Sequence, residues 1–420
     1  MQNPPLQPIG ALTIFRIFTP FALGYFLSYL FRVVNAVIAP DLVVDLAIDP
    51  SELGLLTSTY FIAFASSQLP LGLLLDRFGP RIVETFLLIF AGAGAALFAL
   101  SHSLAGVMAG RALIGFGVSA CLMAAFKSYV IWFPPHILSR VNGFQMAAGG
   151  LGALAATIPV EWALGFTDWR GVFLGLALAS FTAALTVFFV VPPSKSGHPP
   201  EQLTTQINGI VQVFKSPVFW RIAPLTTLSQ AGYISIQGLW AGPWLRDTSG
   251  ISRQGVAQIL SWSAMAMITG FIVLGFIAEK LAARGVPVRI TAVTGMTVFL
   301  CIQTLMAFNA SLPAPVIMAG FGFFGTSGIL AYTALTLDFP ISLSGRVTTG
   351  INMMVFIAAF IVQWAMGAVI NLWETGADGS YDPAGYRTGF SALLACQLIC
   401  LVWFWVSPLF HDNIDKRKTT

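Results

Sequence analysis

Long apolar runs separated by short polar loops set the pattern of this chain from end to end. A hydrocarbon core about 30 Å thick is crossed by roughly 20 apolar residues in a helix. Runs of that length fall near 14–39, 51–75, 82–101, 104–130, 141–164, 170–191, 218–243, 254–279, 289–309, 313–338, 347–372 and 389–409. The pattern predicts an all-α membrane protein with twelve transmembrane helices, numbered 1 to 12 below. No Lys or Arg lies in the first eleven residues, and the first run is too long for a leader's apolar region, so no cleavable signal peptide is expected.

Lys and Arg are distributed unevenly between the loops. With the N-terminus inside, the inner loops and ends hold Arg16, Arg77, Arg81, Lys127, Arg140, Lys195, Lys215, Arg221, Lys280, Arg284, Arg289, Arg346, Lys416, Arg417 and Lys418. The outer loops hold Arg170, Arg246, Arg253 and Arg387. That excess predicts both termini in the cytoplasm, in a multi-pass protein of a bacterial-type inner membrane.

Composition fits a bilayer protein. Of the 420 residues, 56% are hydrophobic and 9% charged, against about 25% charged in a soluble domain. The net charge of +4 reflects loop bias rather than a nucleic-acid footprint. Cys396 and Cys400 stand one helical turn apart with no nearby His, which is no metal geometry. No nucleotide-binding loop, zinc pattern or nucleophile–base pairing is present. Neither a cofactor nor an enzymatic activity is expected.

The chain repeats itself at an offset of about 205 residues. Trp220-Arg221-Ile222 opens helix 7 as Phe15-Arg16-Ile17 opens helix 1. The segment 133–143 after helix 4 is echoed by 339–350 after helix 10, and 72–81 by 275–285. Two pseudo-symmetric six-helix bundles follow, 1–191 and 218–420, joined by a cytoplasmic linker, 192–217. In that linker Leu203, Ile207, Ile210, Val211 and Phe214 share one helical face, which suits either a membrane-surface helix or a plain connection.

The connection between helices 2 and 3 reads G-L-L-L-D-R-F-G-P-R, Gly72 to Arg81, and helix 4 carries G-R-A-L-I-G-F-G at 110–117. On these motifs the chain resembles the major facilitator superfamily over its whole length. Gly72, Asp76, Arg77, Gly79 and Arg81 match the family's signature loop, and Pro80 replaces its usual basic residue. The resemblance implies a central cavity lined by helices 1, 4, 7 and 10, and alternating access by rocking of the bundles. It also implies a gate in which Asp76 caps helix 11, which begins near Arg346.

Two arginines lie within helices, where each costs about 2.5–3.5 kcal/mol on insertion scales and so needs a reason. Arg32 lies on helix 1 and Arg111 on helix 4. Paired guanidiniums in a low-dielectric cleft suit a carboxylate or phosphate. Arg111 equally suits a brace against carbonyls. Tyr25, Ser28, Tyr29 and Asn35 surround Arg32 at helical spacing, and Gln230, Tyr233, Gln237 and Trp240 form the matching face of helix 7. The repeat sets Gln237 opposite Arg32. Interfacial anchoring is the alternative for Trp240. Helix 10 adds Thr326, Ser327, Tyr332 and Thr333 among glycines read as packing positions, and helix 11 adds Asn352 and Gln363.

Helix 1 and its exit also resemble the anion–cation symporter branch, which carries sialic and sugar acids. Phe31 and Val118 stand where that branch has acidic residues, so the resemblance carries arginine-based anion binding and not the branch's proton relay. All seventeen Asp and Glu fall in loops or within about two turns of a helix end on these boundaries. Glu161 is the nearest candidate proton carrier, with Glu52 and Asp41 behind it. Lys127 is read as guiding an anion or snorkelling to the headgroups. Segment 149–159 lacks the full Gly-Pro pattern of drug–proton exporters, which favours uptake.

The sequence therefore predicts a monomeric secondary carrier of a small organic anion, coupled to a proton, exchanging a counter-anion, or facilitating diffusion. The alternatives are an exporter of amphipathic compounds and a non-transporting membrane sensor on the same fold.

Overall fold

The computed structural model describes residues 11–193, 203–340, 343–376 and 379–407. The expected positions of both termini, and of Lys195, Lys416, Arg417 and Lys418, lie outside them. The described residues outside the loops are helical, and their order matches the predicted one. Helix 1 comprises Ala11–Val33 and Asn35–Leu46. Helices 2 and 3 are the two arms of Pro50–Leu100. Helix 4 is Leu104–Gly117 with Cys121–Trp132, helix 5 is Pro135–Ala155 with Ile158–Ala163, and helix 6 is Trp169–Val190. The second half runs through Pro217–Ser249 as helix 7 and Arg253–Ala282 as helix 8. Val288–Ala307, Ala314–Leu337, Ser344–Ile370 and Pro383–Val406 are helices 9 to 12.

Among the described residues nine helices are individually long and apolar enough to cross a membrane, or ten with the bent helix 1. Pro50–Leu100 is long enough for two crossings, and helix 7 is too polar to pass that test, which accounts for the difference from twelve. The arms of Pro50–Leu100 fold back at Gly79, whose φ of 77° and ψ of 162° favour glycine. The side of the molecule that carries this turn is called the hinge side below, and its opposite the far side.

Capping sets several helix starts on the far side. Asp49 and Glu52 form a reciprocal capping box at helix 2, with bonds of 2.8 and 3.0 Å. Asp168 accepts from Gly171 N at 2.8 Å at the start of helix 6. Glu52, a candidate proton carrier by sequence, is thus engaged in capping helix 2.

Apolar burial cannot drive helix association in lipid, so close backbone approach and interhelical hydrogen bonds take over. A Cβ on Gly115 would strike the Tyr60 carbonyl, and one on Gly322 the Ser263 carbonyl. Those contacts pack helix 4 on helix 2 and helix 10 on helix 8. The bundles meet where helix 2 lies along helix 11: Gln363 Nε2 donates to Thr57 Oγ1 at 2.6 Å, and Asn352 Nδ2 to Gln68 Oε1 at 2.9 Å.

Leu203–Lys215 is a separate helix packed against helices 11 and 7. Its exposed Ile207 and Val211 lie on one side, while Ile210 and Val213 are buried. The single apolar face expected there is therefore divided, with Val213, absent from the expected set, carrying the docking side.

Candidate functional site

All four helices expected to line the cavity depart from regular α-helix. Helix 1 bends by 49° at Val34. Helix 4 is interrupted between Gly117 and Cys121, and helix 10 between Gly325 and Gly328. Helix 7 contains a π-helical turn, Ile236–Trp240. The apolar pattern alone predicts four continuous helices. Irregular backbone at membrane depth is tolerated where it is buried in protein or lines a cavity, and π turns collect at functional sites.

The bend in helix 1 decides the fate of both arginines. Backbone bonds across it run from Val34 N to Leu30 O and from Val37 N and Ile38 N to Val34 O. Phe31 O receives none of them; Arg111 Nη1 donates to it at 2.7 Å, and Arg111 Nε reaches Thr57 O at 3.5 Å. Arg111 is 1% exposed, stacks over Tyr60 at 4.8 Å, and does not line the cavity. It ties helix 4 to the bend and to helix 2. Of its two expected roles, the geometry shows the brace.

Arg32 faces the other way, into a cavity of about 350 Å³ between the bundles. Its guanidinium carbon lies 4.6 Å from the Tyr29 ring centre, 5.2 Å from Phe356 and 5.7 Å from Phe64. Its Nε has no hydrogen-bond partner, and no carboxylate pairs with it among the described residues. A desolvated guanidinium framed by ring faces keeps attraction to π-electrons while its N–H fork is left for an anion.

Of the expected binding residues, Tyr25, Tyr29, Arg32, Gln230, Tyr233 and Gln237 line this cavity together. Asn35 does not; it is wholly buried just past the bend. Trp240 does not either: its indole donates to Gln363 O at 3.0 Å and fixes helix 7 to helix 11. Gln230 Nε2 donates to Gly325 O at 2.8 Å, at the break in helix 10. Gly325 and Gly328, expected only to pack helices, give room to the side chains of Tyr233 and Gln230. Thr326, Tyr332, Thr333 and Asn352 complete the polar lining.

Sequence reasoning missed Phe64 and Phe356, which stack at 4.1 Å across the bundle interface and roof Arg32. The available signal was their spacing, each four residues from Gln68 or Asn352, the hydrogen-bonded pair on the same two helices.

Exposure along the cavity increases toward the hinge side, from buried Arg32 and Gln237 to exposed Thr333. On the far side the bundles are clamped. Arg253 of helix 8 donates to both oxygens of Asp41 at 2.8 and 2.5 Å, and to Glu161 at 2.8 Å. Glu161 is thereby held in an interbundle ion pair away from the cavity, and Asp41 with it. Arg253→Ala should raise the population open on the far side by about fivefold, corresponding to the ~1 kcal/mol of a part-exposed ion-pair network. Spin-label distances across that side check it, and an unchanged distribution would refute the clamp.

The hinge-side contacts differ from the expected gate. Asp76 pairs with Lys127 of its own bundle rather than capping helix 11. Lys127, read as guiding an anion or snorkelling to the headgroups, is held by Asp76 in this conformation. Arg81 Nε donates to Phe188 O at 2.8 Å, and Arg77 lies over Phe78. Gly72 is half-buried, and Arg346 lies against Gly209 of the linker helix. Within the signature loop, these bonds tie helices 2 and 3 to helices 4 and 6, leaving the start of helix 11 to the linker helix.

The sequence profile of the Major Facilitator Superfamily matches residues 21–363. Relatives include the probable sulfoacetate transporter SauU of Cupriavidus necator, 23% identical over 417 residues and covering 94% of both chains. The hexuronate transporter of Escherichia coli is 24% identical over 397 residues, covering 90% of this chain and 84% of that one. The crystal structure of a D-xylose-proton symporter matches with a TM-score of 0.73 at 17% identity, over 94% of this chain and 97% of that one. The order of helices, the signature loop and the profile match lead to one conclusion: the chain belongs to the major facilitator superfamily.

Proposed function

We propose that this protein is a secondary carrier that moves a small organic anion across a bacterial inner membrane by alternating access, as a monomer with the hinge side in the cytoplasm. The observation that carries this reading is Arg32: a buried guanidinium that no carboxylate pairs with among the described residues, at the closed end of the cavity between the bundles. A buried cation without a counter-charge is costly, and a bound carboxylate or sulfonate removes that cost with a bidentate bond. The amides of Gln230 and Gln237 and the phenol of Tyr233, from the second bundle, suit hydroxyl or second acidic groups on the same solute. Relatives described as sulfoacetate and hexuronate transporters support the anion class.

The test is flux in proteoliposomes with D-glucuronate and sulfoacetate as probes and xylose as the neutral control. Exchange of at least one acid, without exchange of xylose, is expected. Binding without flux would favour the sensor. The apolar hinge-side wall of Leu122, Met123, Phe126 and Phe271 favours the exporter as a second reading. Movement of an amphipathic dye with no acid flux would establish that reading instead.

A further inference from the structure

Beneath the Gly79 turn, in the first turns of helix 3, Glu84 is 0% exposed, and neither carboxylate oxygen accepts a hydrogen bond from a nitrogen or hydroxyl donor; the Cys121 thiol is the polar group beside it. Among the described residues it differs from every other acidic side chain. Asp247, whose side chain is equally shielded, is bonded to Arg246, Tyr381 N and Tyr386. The rest lie in exposed ion pairs or caps, or at the surface. Glu84 points between helices 1 and 4. A Cβ on Gly24 would lie 2.5 Å from its Oε1 and 3.7 Å from Cys121 Sγ. The missing side chain of Gly24 is what makes room for the carboxyl.

The titratable groups near Glu84 are the Cys121 thiol and the Tyr129 phenol on helix 4, and Tyr25 next to Gly24 on helix 1. Tyr129 donates to Gln145 at 2.7 Å. Of the cations on the surrounding elements, Lys127 is engaged by Asp76, Arg111 by Phe31 O, Arg170 by Asp45, and Arg346 lies against the linker helix, while Arg32 of helix 1 lies in the cavity over Tyr29 and is the one that faces this pocket without a carboxylate of its own. No cation among the described residues pairs directly with the Glu84 carboxylate, and it is shielded from bulk solvent, so the surroundings favour a carboxylic acid. The pocket is one residue behind the cavity wall, since Tyr25 and Leu122, the chain neighbours of Gly24 and Cys121, both line the cavity.

We propose that Glu84 takes up and gives back the coupling proton of this carrier, an assignment that rests on the anion-carrier reading above. The step forms one O–H bond on a carboxylate oxygen and later breaks it; the proton comes from water and returns to water, and no electron is transferred. Charge balance supplies the coupling. With an anion on Arg32 and a proton on Glu84, the two sites sum to zero. With both empty, the guanidinium and the carboxylate again sum to zero. A bound anion without the proton leaves one uncompensated negative charge in a low-dielectric interior, which disfavours crossing in that form. The interruption of helix 4 between Gly117 and Cys121 directly precedes the thiol beside Glu84.

The test compares wild type with Glu84→Gln in liposomes, using D-glucuronate and an imposed pH gradient. Glu84→Gln should lose gradient-driven accumulation while retaining counterflow, because the neutral amide mimics the protonated acid. Accumulation equal to wild type would overturn the assignment. If wild type moves no D-glucuronate, the anion reading fails for that probe, and infrared difference spectra of the purified protein decide on Glu84 separately. Wild type should show a carboxylic-acid C=O band that bleaches as pH rises and is missing from Glu84→Gln; identical spectra overturn the proposal. If that variant does not fold, Gly24→Ala presses a methyl on the intact carboxyl and should shift the same band, whereas an unshifted band counts against the site.

Discussion

Replacing Arg32 by Ala should weaken binding of an acidic solute by about a hundredfold or more, corresponding to ~3 kcal/mol for a lost charge-assisted pair, while leaving the fold intact. The stability half of this expectation follows from the contacts. Arg32 stacks on Tyr29, Phe64 and Phe356 but ties together no backbone groups. Removing it enlarges a cavity that already exists and relieves a buried charge, so the unfolding temperature should hold or rise. Arg32→Lys should recover only part of the affinity, because an ammonium is a point donor without the planar fork. Ligand-induced thermal shifts of the three proteins with D-glucuronate and sulfoacetate measure this. An equal shift in wild type and Arg32→Ala would remove Arg32 from the site.

Arg111→Ala should have the reverse profile. It strips the donor from Phe31 O, a carbonyl left unpaired by the bend in helix 1, and from Thr57 O. A buried acceptor without a partner costs about 1–3 kcal/mol, and the loss of the stack on Tyr60 adds to it. The variant should unfold at lower temperature and insert in reduced yield, yet its folded fraction should bind the acidic probe with near wild-type affinity. Reduced affinity at unchanged stability would show that Arg111 contacts solute and that the brace is not its main role.

These two side chains also show how far the sequence could be read. Hydropathy and length located the helices, because a 20-residue apolar run in a bilayer has few alternatives. The same reading treated Arg32 and Arg111 as a pair, since both interrupt apolar runs and both needed a reason. Which face each occupies depends on the bend at Val34, and nothing in V-V-N-A announces it: Pro20 and Pro40, the residues that ordinarily break helices, sit inside helical segments on either side. The bend is sustained by Arg111 and by helix 7, where Gly238 lies against Arg32 O and Gly242 against Ala36 O. Those are tertiary contacts, which a linear pattern does not contain.

Glu84 escaped notice for a related reason. Distance along the chain from the end of helix 3 puts it near the surface. Its face was the better guide. Leu88 and Ala91, on the same side of the helix, are wholly buried, whereas Phe86 and Phe90 point outward. Glu161 lay at a similar distance from a helix end and is held by Arg253 on the far side. Asp76 matches the family's signature, but its partner here is Lys127 of its own bundle, and a motif does not record which contacts a conformation makes.

The central claim is that the anionic group of the solute sits on Arg32. A cryo-electron microscopy structure with saturating D-glucuronate or sulfoacetate, whichever shifts the melting point, tests it most directly. The acid oxygens are expected within about 3 Å of the Arg32 guanidinium, beneath Phe64 and Phe356, with the remainder of the solute toward Gln230 and Gln237. Solute density elsewhere, with Arg32 still stacked on Tyr29 and making no contact to an acid oxygen, would contradict it.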